Sequence, residues 1–150
     1  MTSISEILKA AQQRARDQNL PYEGALLPAE AFRIMREAPA AKLVDVRTHA
    51  ELDFVGSVPD AIHIEWSTYP GSHPNANFIA QLRAQVDQES LVMFLCRSGA
   101  RSHSAAEAAT AAGYLDCYNV LQGFEGRKDE AGHRNTVEGW RAAGLPWRQN

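Results

Sequence analysis

The chain has 150 residues, of which 45% are hydrophobic and 22% charged, and its formal net charge is −3 at pH 7. This length suits a single domain that buries most of the surface its unfolded chain exposes. The slightly acidic balance argues against a nucleic-acid partner, which favours a strongly basic face. Two cysteines do not make a disulfide framework, so we expect a reducing compartment, the cytoplasm.

Residues 1–20 predict an amphipathic helix that belongs to the same domain as the rest of the chain. Apolar residues recur at helical spacing behind a capping serine: Ile4, Ile7, Leu8 and Ala11, after Ser3 or Ser5. The apolar run is too short for a signal peptide, and no window approaches the roughly 20 apolar residues of a membrane span. We expect this helix to cover an edge of its own domain, with docking to a partner as the alternative, and we expect no membrane partner.

Residues 21–150 alternate between strand-like and helix-like patterns. Short apolar runs predict strands at 25–27, 42–46, 61–66, 91–95 and 117–121. Helical patterns lie between and after them at 28–36, 48–54, 77–86, 102–112 and 136–143. This alternation predicts an α/β three-layer sandwich, with a mainly parallel five-stranded sheet and helices on both faces. Right-handed crossovers would bring the carboxyl ends of the strands to one edge.

Asp45 lies inside an apolar run that suits a parallel strand buried on both faces. A buried carboxylate is costly unless it is paired, and Arg47 or the loop after residue 95 could pair with it. We expect Asp45 and Arg47 to give structural support, with direct catalysis by Asp45 as the alternative.

The segment 67–75 is rich in turn formers and follows the carboxyl end of a predicted strand, where open α/β sheets place their ligand crevice. Trp66 and Tyr69 either wall this crevice or serve ordinary packing.

The apolar run 91–95 ends at Cys96, and small or basic residues follow before the helical pattern begins at Ser102. Backbone N–H groups at the mouth of that helix would point at the sulfur, and the helix dipole adds roughly half a positive charge there. Arg97 and Arg101 add further positive charge, which favours the thiolate over the thiol. The pattern predicts a nucleophile with an anion pocket. The alternatives are a buried structural thiol and solvated loop arginines.

The loop itself reads Cys96-Arg97-Ser98-Gly99-Ala100-Arg101-Ser102, and it resembles the Cys-Arg-Ser-Gly-x-Arg-Ser loop of rhodanese-like sulfurtransferases. Upstream, Asp45-Val46-Arg47, Glu51 and Gly56-Ser57-Val58-Pro59-Asp60-Ala61 resemble that family's Asp-Val-Arg, acidic residue and Gly-x-x-Pro-x-Ala segment. Ser57 and Asp60 replace a commoner histidine and glycine, and the interval from Arg47 to Gly56 is one residue longer than usual. The resemblance covers about residues 25–126 and implies that 21–150 form a rhodanese-like domain.

The resemblance implies a role for each loop residue. Cys96 would be catalytic, and the six residues after it would bind substrate: Arg97, Ser98, Gly99, Ala100, Arg101 and Ser102. Asp45 and Arg47 would buttress the loop.

The predicted chemistry is sulfur transfer by double displacement. The thiolate attacks the outer sulfur of a donor such as thiosulfate, N–H groups and arginine hold the anionic leaving group, and a persulfide remains on Cys96. A thiol or cyanide then removes that sulfur, so no cofactor is needed. A persulfide carrier with a protein acceptor would use the same loop. Phosphatases and arsenate reductases are less well matched, because their loops are Cys-x5-Arg whereas Cys96 to Arg101 is Cys-x4-Arg.

The other candidate groups predict no second site. The histidines at 49, 63, 73, 103 and 133 show no i,i+4 pair, so we expect no metal. Cys117 begins a strand, at the end opposite the reactive edge, and is expected to pack in the core.

Overall fold

The computed structural model describes residues 2–149, which form five helices and seven strands. The helices are α1 Ile4–Gln18, α2 Pro28–Glu37, α3 His49–Val55, α4 Phe78–Gln85 and α5 Ala100–Ala111. The strands are β1 Gly24–Leu26, β2 Lys42–Asp45, β3 Ile62–His63, β4 Ser67–Thr68, β5 His73–Pro74, β6 Leu91–Leu95 and β7 Asp116–Val120. None of the helices in this part of the chain is both long and apolar enough to cross a bilayer.

Five of these strands form one parallel sheet in the order β1-β7-β6-β2-β3, and β4 and β5 form a separate antiparallel hairpin. The predicted α/β fold with a mainly parallel five-stranded sheet is therefore confirmed. Strand β6 is central, between β7 and β2, and it ends directly before Cys96. The cysteine thus lies at the carboxyl edge of the sheet, where a parallel topology gathers the loops.

Helices cover both faces of the sheet. Side chains alternate along β6, so Val92 and Phe94 pack under α4 and α5, while Met93 and Leu95 pack under α1 and α2. Because both faces are buried, the strand is apolar at every position, as the sequence pattern predicts. Helix α3 has no fully buried residue, and its Val55 packs, partly buried, against the core that contains Met93 and Leu95.

Helix α1 lies within residues 1–20, where the sequence predicts an amphipathic helix, and Met1 is outside the described residues. Ser3 caps it through a capping box with Glu6, and Ile7, Ala11 and Ala15 face the core. The helix packs on the edge strand β1. A Cβ on Gly24 would lie 2.6 Å from the Tyr118 ring and 3.0 Å from the backbone of Ala11, so the missing side chain lets the ring and α1 pack closely on β1.

Several predicted elements differ from the structure. Helix α5 begins at Ala100, two residues before the predicted start, because Gly99 takes a left-handed φ of 112° and serves as its N-cap. The predicted strand 61–66 shortens to β3. The predicted helix at 136–143 is wrong: this segment forms turns. Gly139 has a φ of +109° there and packs on Gly126, where a Cβ would lie 2.7 Å from the Gly126 nitrogen.

Candidate functional site

The Cys96 loop, residues 96–102, holds its sulfur in a small polar cradle. Cys96 is 1% exposed, and its Sγ accepts a hydrogen bond from the backbone N–H of Gly99 at 3.1 Å. The Ser102 hydroxyl lies 3.2 Å from the same sulfur. Because α5 begins at Ala100, the positive end of its dipole also lies at this loop. The predicted strand–loop–helix arrangement is confirmed, and it places positive potential at the sulfur.

A second turn, residues 123–126, holds the loop from behind. Phe124 N–H donates to the Cys96 carbonyl at 2.8 Å, and the N–H groups of Glu125 and Gly126 donate to the Arg97 carbonyl at 3.0 and 3.2 Å. A Cβ on Gly123 would lie 2.5 Å from the Arg97 carbonyl oxygen, so the 123–126 turn needs glycine to come this close. The carbonyls of Cys96 and Arg97 are hydrogen-bonded to the 123–126 turn, while the Gly99 N–H is directed at the sulfur.

Buried polar groups that sequence reasoning missed extend the cradle. Ser102 Oγ donates to Asn119 Oδ1 at 2.6 Å, and Asn119 Nδ2 donates to the Gly99 carbonyl at 3.3 Å. A hydroxyl has one proton, and here it is directed at Asn119 Oδ1. The Ser102 oxygen is therefore oriented to accept a hydrogen bond from the Cys96 S–H. The signal for Asn119 was present as an amide inside the apolar run 117–121, where an unpaired polar group would be costly.

The amide of Asn119 also reaches a tyrosine–histidine pair. Its Nδ2 donates to Tyr22 Oη at 3.4 Å, and Tyr22 Oη lies 2.7 Å from His103 Nδ1. Tyr22 comes from the connector before β1, and nothing in the sequence placed it near the cysteine. His103 is half-buried.

Arg101 is engaged by an acidic residue. Its guanidinium forms a bidentate ion pair with Glu51, at 2.7 and 2.9 Å, and this raises the pKa of Arg101. Glu51 in turn accepts from the backbone and hydroxyl of Thr48, both at 3.1 Å, as the capping box of α3. Burial opposes ionisation of Glu51, but the bonds from Arg101 and Thr48 outweigh it and lower its pKa to about 2. Anion binding by Arg101 remains a prediction, and Glu51 joins the site as its partner.

A cleft of about 530 Å³ opens beside the loop. Its lining includes Glu51, Phe54, Tyr69, Arg97, Arg101 and Arg134. Of the two aromatics left open by the sequence, Tyr69 lines this cleft, and Trp66 packs edge-on against Phe78 with ring centroids 5.0 Å apart. Arg134 is not among the residues that the sequence placed at the site. The side chains of Ser98 and Ala100 are exposed.

Asp45 and Arg47 form a fully buried ion pair close to the loop. Arg47 Nε and Nη2 donate to the two carboxylate oxygens at 3.0 and 2.7 Å, and Nη2 also donates to the Gly56 carbonyl at 2.9 Å. The guanidinium carbon lies 4.1 Å from the ring centroid of Phe124, whose N–H binds the Cys96 carbonyl. The pair thus contacts the 123–126 turn and not the cleft. Its role as structural support stays a prediction.

Cys117 lies in the core, away from this cradle. It is 0% exposed, and burial raises the pKa of its thiol to about 11, against a smaller opposing effect from Thr110. Its thiolate is therefore scarce at neutral pH. Among residues 2–149, no group of three His, Cys, Asp or Glu side chains is arranged to hold a metal ion.

Comparisons with known proteins agree with this geometry. The family model described as Rhodanese-like domain matches residues 28–130. The chain therefore belongs to the rhodanese-like domain family, which confirms the resemblance of its loop.

Its relatives include proteins with and without an assigned activity. An uncharacterized protein of Rickettsia conorii is 34% identical over 124 residues, covering 79% of this chain and 91% of its own. Thiosulfate sulfurtransferase GlpE of Pseudomonas savastanoi pv. phaseolicola is 35% identical over 99 residues, 66% of this chain and 82% of its own. The crystal structure of Rv0390 from M. tuberculosis has 47% identity and a TM-score of 0.79, covering 86% of this chain and 99% of that one.

Proposed function

We propose that this protein is a sulfurtransferase, which moves a sulfane sulfur from thiosulfate or a similar donor to a thiophilic acceptor through a persulfide on Cys96. The observation that carries the proposal is the backbone N–H of Gly99 aimed at Cys96 Sγ at the start of α5. This cradle stabilises negative charge on a sulfur atom, and both the thiolate and the persulfide carry such charge. The similarity to a thiosulfate sulfurtransferase supports the same activity.

Transfer takes two displacement steps. The Cys96 thiolate attacks the outer sulfur of thiosulfate, the new S–S bond forms, and sulfite leaves with the electron pair of the broken S–S bond. A thiol or cyanide then attacks the outer sulfur of the persulfide, and the Cys96 thiolate is restored. Arg97 lines the cleft beside the loop and supplies positive charge for the anionic donor, with Arg101 as the second cation. No cofactor takes part in either step.

A reducing compartment suits this chemistry, and the two unpaired cysteines support the cytoplasm as its place. The acceptor is a small thiol, cyanide or a protein thiol. A protein acceptor would make the molecule a persulfide carrier, which differs in turnover and not in the first step.

The test is the intact mass of the protein before and after incubation with thiosulfate. We expect a gain of one sulfur atom, which cyanide or a thiol reverses. Cys96→Ser should abolish the gain, and Cys117→Ser is the matched control that should keep it. Labelling that persists in Cys96→Ser and disappears in Cys117→Ser would overturn the proposal, as would efficient hydrolysis of aryl phosphates without any sulfur uptake.

Turnover with cyanide then separates the two kinds of acceptor. A sulfurtransferase for small acceptors should release many thiocyanates for each protein. A carrier should take up one sulfur and release it slowly to cyanide.

A further inference from the structure

The cleft beside the Cys96 loop is much larger than thiosulfate. Its volume is about 530 Å³, within the roughly 300–1,000 Å³ of small-molecule sites. Thiosulfate is a five-atom anion that would fill on the order of 100 Å³, the volume of about three waters at about 30 Å³ each. Most of the cleft would stay empty around such a donor.

Two aromatic side chains line the cleft. Phe54 is 80% exposed in the last turn of α3, and Tyr69 is 72% exposed in the turn between β4 and β5. Exposed large apolar side chains gathered in one concave site mark ligand or partner contacts more often than scattered ones do. These two come from separate elements that meet at the same cleft, so they can contact one ligand together.

The charges of the cleft favour an anion. Three arginines and two glutamates line it, an excess of one positive charge in a chain whose net charge is −3. Glu51 is already paired with Arg101. Arg97 makes no side-chain hydrogen bond within the described part of the chain, so its guanidinium has all its donors available for a ligand, against the single opposing charge of Glu125.

We propose that the cleft selects an anionic sulfur donor that carries an apolar, ring-sized body, in preference to thiosulfate itself. The body lies between Phe54 and Tyr69, and the anionic head lies toward Arg97 and the Cys96 loop. Aryl thiosulfonates have this chemistry. The inference rests on the proposed sulfurtransferase function and specifies its donor.

The step balances without a further reactant. The Cys96 thiolate attacks the terminal sulfur of the thiosulfonate, an S–S bond forms to Cys96, and the bond between the two donor sulfurs breaks. The aryl sulfinate leaves with that electron pair, as sulfite leaves from thiosulfate. Because benzenethiosulfonate and methanethiosulfonate share the reacting group, the ring is the main difference between them.

The experiment has a kinetic arm. We would measure kcat/KM for cyanide-dependent turnover with benzenethiosulfonate and with methanethiosulfonate, and compare their ratio among variants so that intrinsic donor reactivity cancels. Phe54→Ala and Tyr69→Ala should each lower the ratio about two- to tenfold, the range that one aromatic contact contributes. Leu115→Ala is the matched control, because Leu115 is 77% exposed and lies outside the cleft. Its ratio should equal that of the unsubstituted protein.

A binding arm does not depend on turnover. Benzenesulfonate cannot transfer sulfur, and calorimetry should show that it binds Cys96→Ser more tightly than methanesulfonate does, with the difference reduced by Phe54→Ala. Equal affinities for the two sulfonates, or a kinetic ratio unchanged by both aromatic substitutions, would overturn the inference. Failure of every donor to label Cys96, together with tight benzenesulfonate binding, would instead refute the sulfurtransferase function and leave the aromatic site standing.

Discussion

Asn119 determines which way the Ser102 hydroxyl points, and so which form of Cys96 it suits. Because the Ser102 hydroxyl donates its hydrogen bond to Asn119 Oδ1, the serine oxygen can only accept a hydrogen bond from the Cys96 thiol. In Asn119→Leu that proton is free to turn toward the sulfur and stabilise the thiolate. The Gly99 carbonyl keeps a second donor in His103 N–H, at 3.1 Å, so the loop retains support.

We therefore expect Asn119→Leu to react several-fold faster with iodoacetamide at neutral pH, since about 1 kcal/mol from one hydrogen bond is about fivefold. The measurement is alkylation of Cys96 followed by peptide mass spectrometry. Adding Ser102→Ala to the same variant should remove the gain. A gain that survives this double substitution would show that the serine proton does not turn to the sulfur.

The residues of the Cys96 loop could be predicted because they are adjacent in sequence. Their chemistry and spacing are visible in one stretch that ends an apolar run. Asn119 and Tyr22 reach the loop from distant elements, and the Glu51 carboxylate meets Arg101 only because folding brings the first turn of α3 to the first turn of α5. Such contacts depend on tertiary packing, which spacing along a single sequence does not encode.

Helix α3 is held to the loop by one charged pair. The pKa of Glu51 falls from 4.5 to about 2 on folding, through its bonds to Arg101 and Thr48 and against the cost of burial. A carboxyl group whose pKa is lower in the folded state contributes stability above its unfolded pKa. That contribution is lost as the pH falls from about 4.5 toward 2.

We expect the free energy of unfolding to fall more steeply between pH 5 and pH 2 in the unsubstituted protein than in Glu51→Gln. Glutamine keeps the capping box of α3 and removes the charge, so the difference isolates the effect of the carboxylate charge, which acts with both Arg101 and Thr48. Urea unfolding at several pH values measures it, with Glu138→Gln as a control for an ion pair whose arginine is exposed. Parallel curves for Glu51→Gln and the unsubstituted protein would contradict the assigned pKa.

The predicted elements succeeded where local chemistry determines them. The helix predicted at 48–54 begins with the capping box of Thr48 and Glu51 and ends at Gly56. The segment 136–143 has a helical apolar pattern with Val137 and Trp140, but packing overrides it. Gly139 must take a left-handed φ to lie against Gly126, and that contact is invisible in a pattern of apolar residues.

The Asp45–Arg47 pair tests how the whole molecule depends on a buried charge. Asp45→Ala leaves the Arg47 guanidinium unpaired and fully buried, which should lower the free energy of unfolding by about 3–5 kcal/mol. Sulfur uptake for each folded molecule should stay unchanged. Urea unfolding and thiosulfate labelling measure the two effects separately.

The double variant Asp45→Leu, Arg47→Met is the matched control, because it removes both charges and should lose less stability than Asp45→Ala alone. If Asp45→Ala is as stable as the unsubstituted protein but no longer takes up sulfur, Asp45 takes part in the chemistry and its assignment to the scaffold is wrong.

At the scale of the whole molecule, the alternation of apolar strands and helical segments predicted the fold class. The order β1-β7-β6-β2-β3 could not be predicted in the same way. Strand order depends on which buried faces pack together, and β1, β2, β6 and β7 are all buried at nearly every position. A burial pattern that the four strands share does not specify which of them are neighbours.

The conformation of the Cys96 loop depends on a second segment, the 123–126 turn. The seven residues of the loop carry the chemistry, but the carbonyls of Cys96 and Arg97 are held by N–H groups from a distant part of the chain, and Gly123 is what lets that backbone approach. Transplanting residues 96–102 alone onto another parallel sheet would transfer the side chains but lose the hydrogen bonds from the 123–126 turn that hold the loop backbone. A working graft of this loop has to carry two segments, each folded against the other.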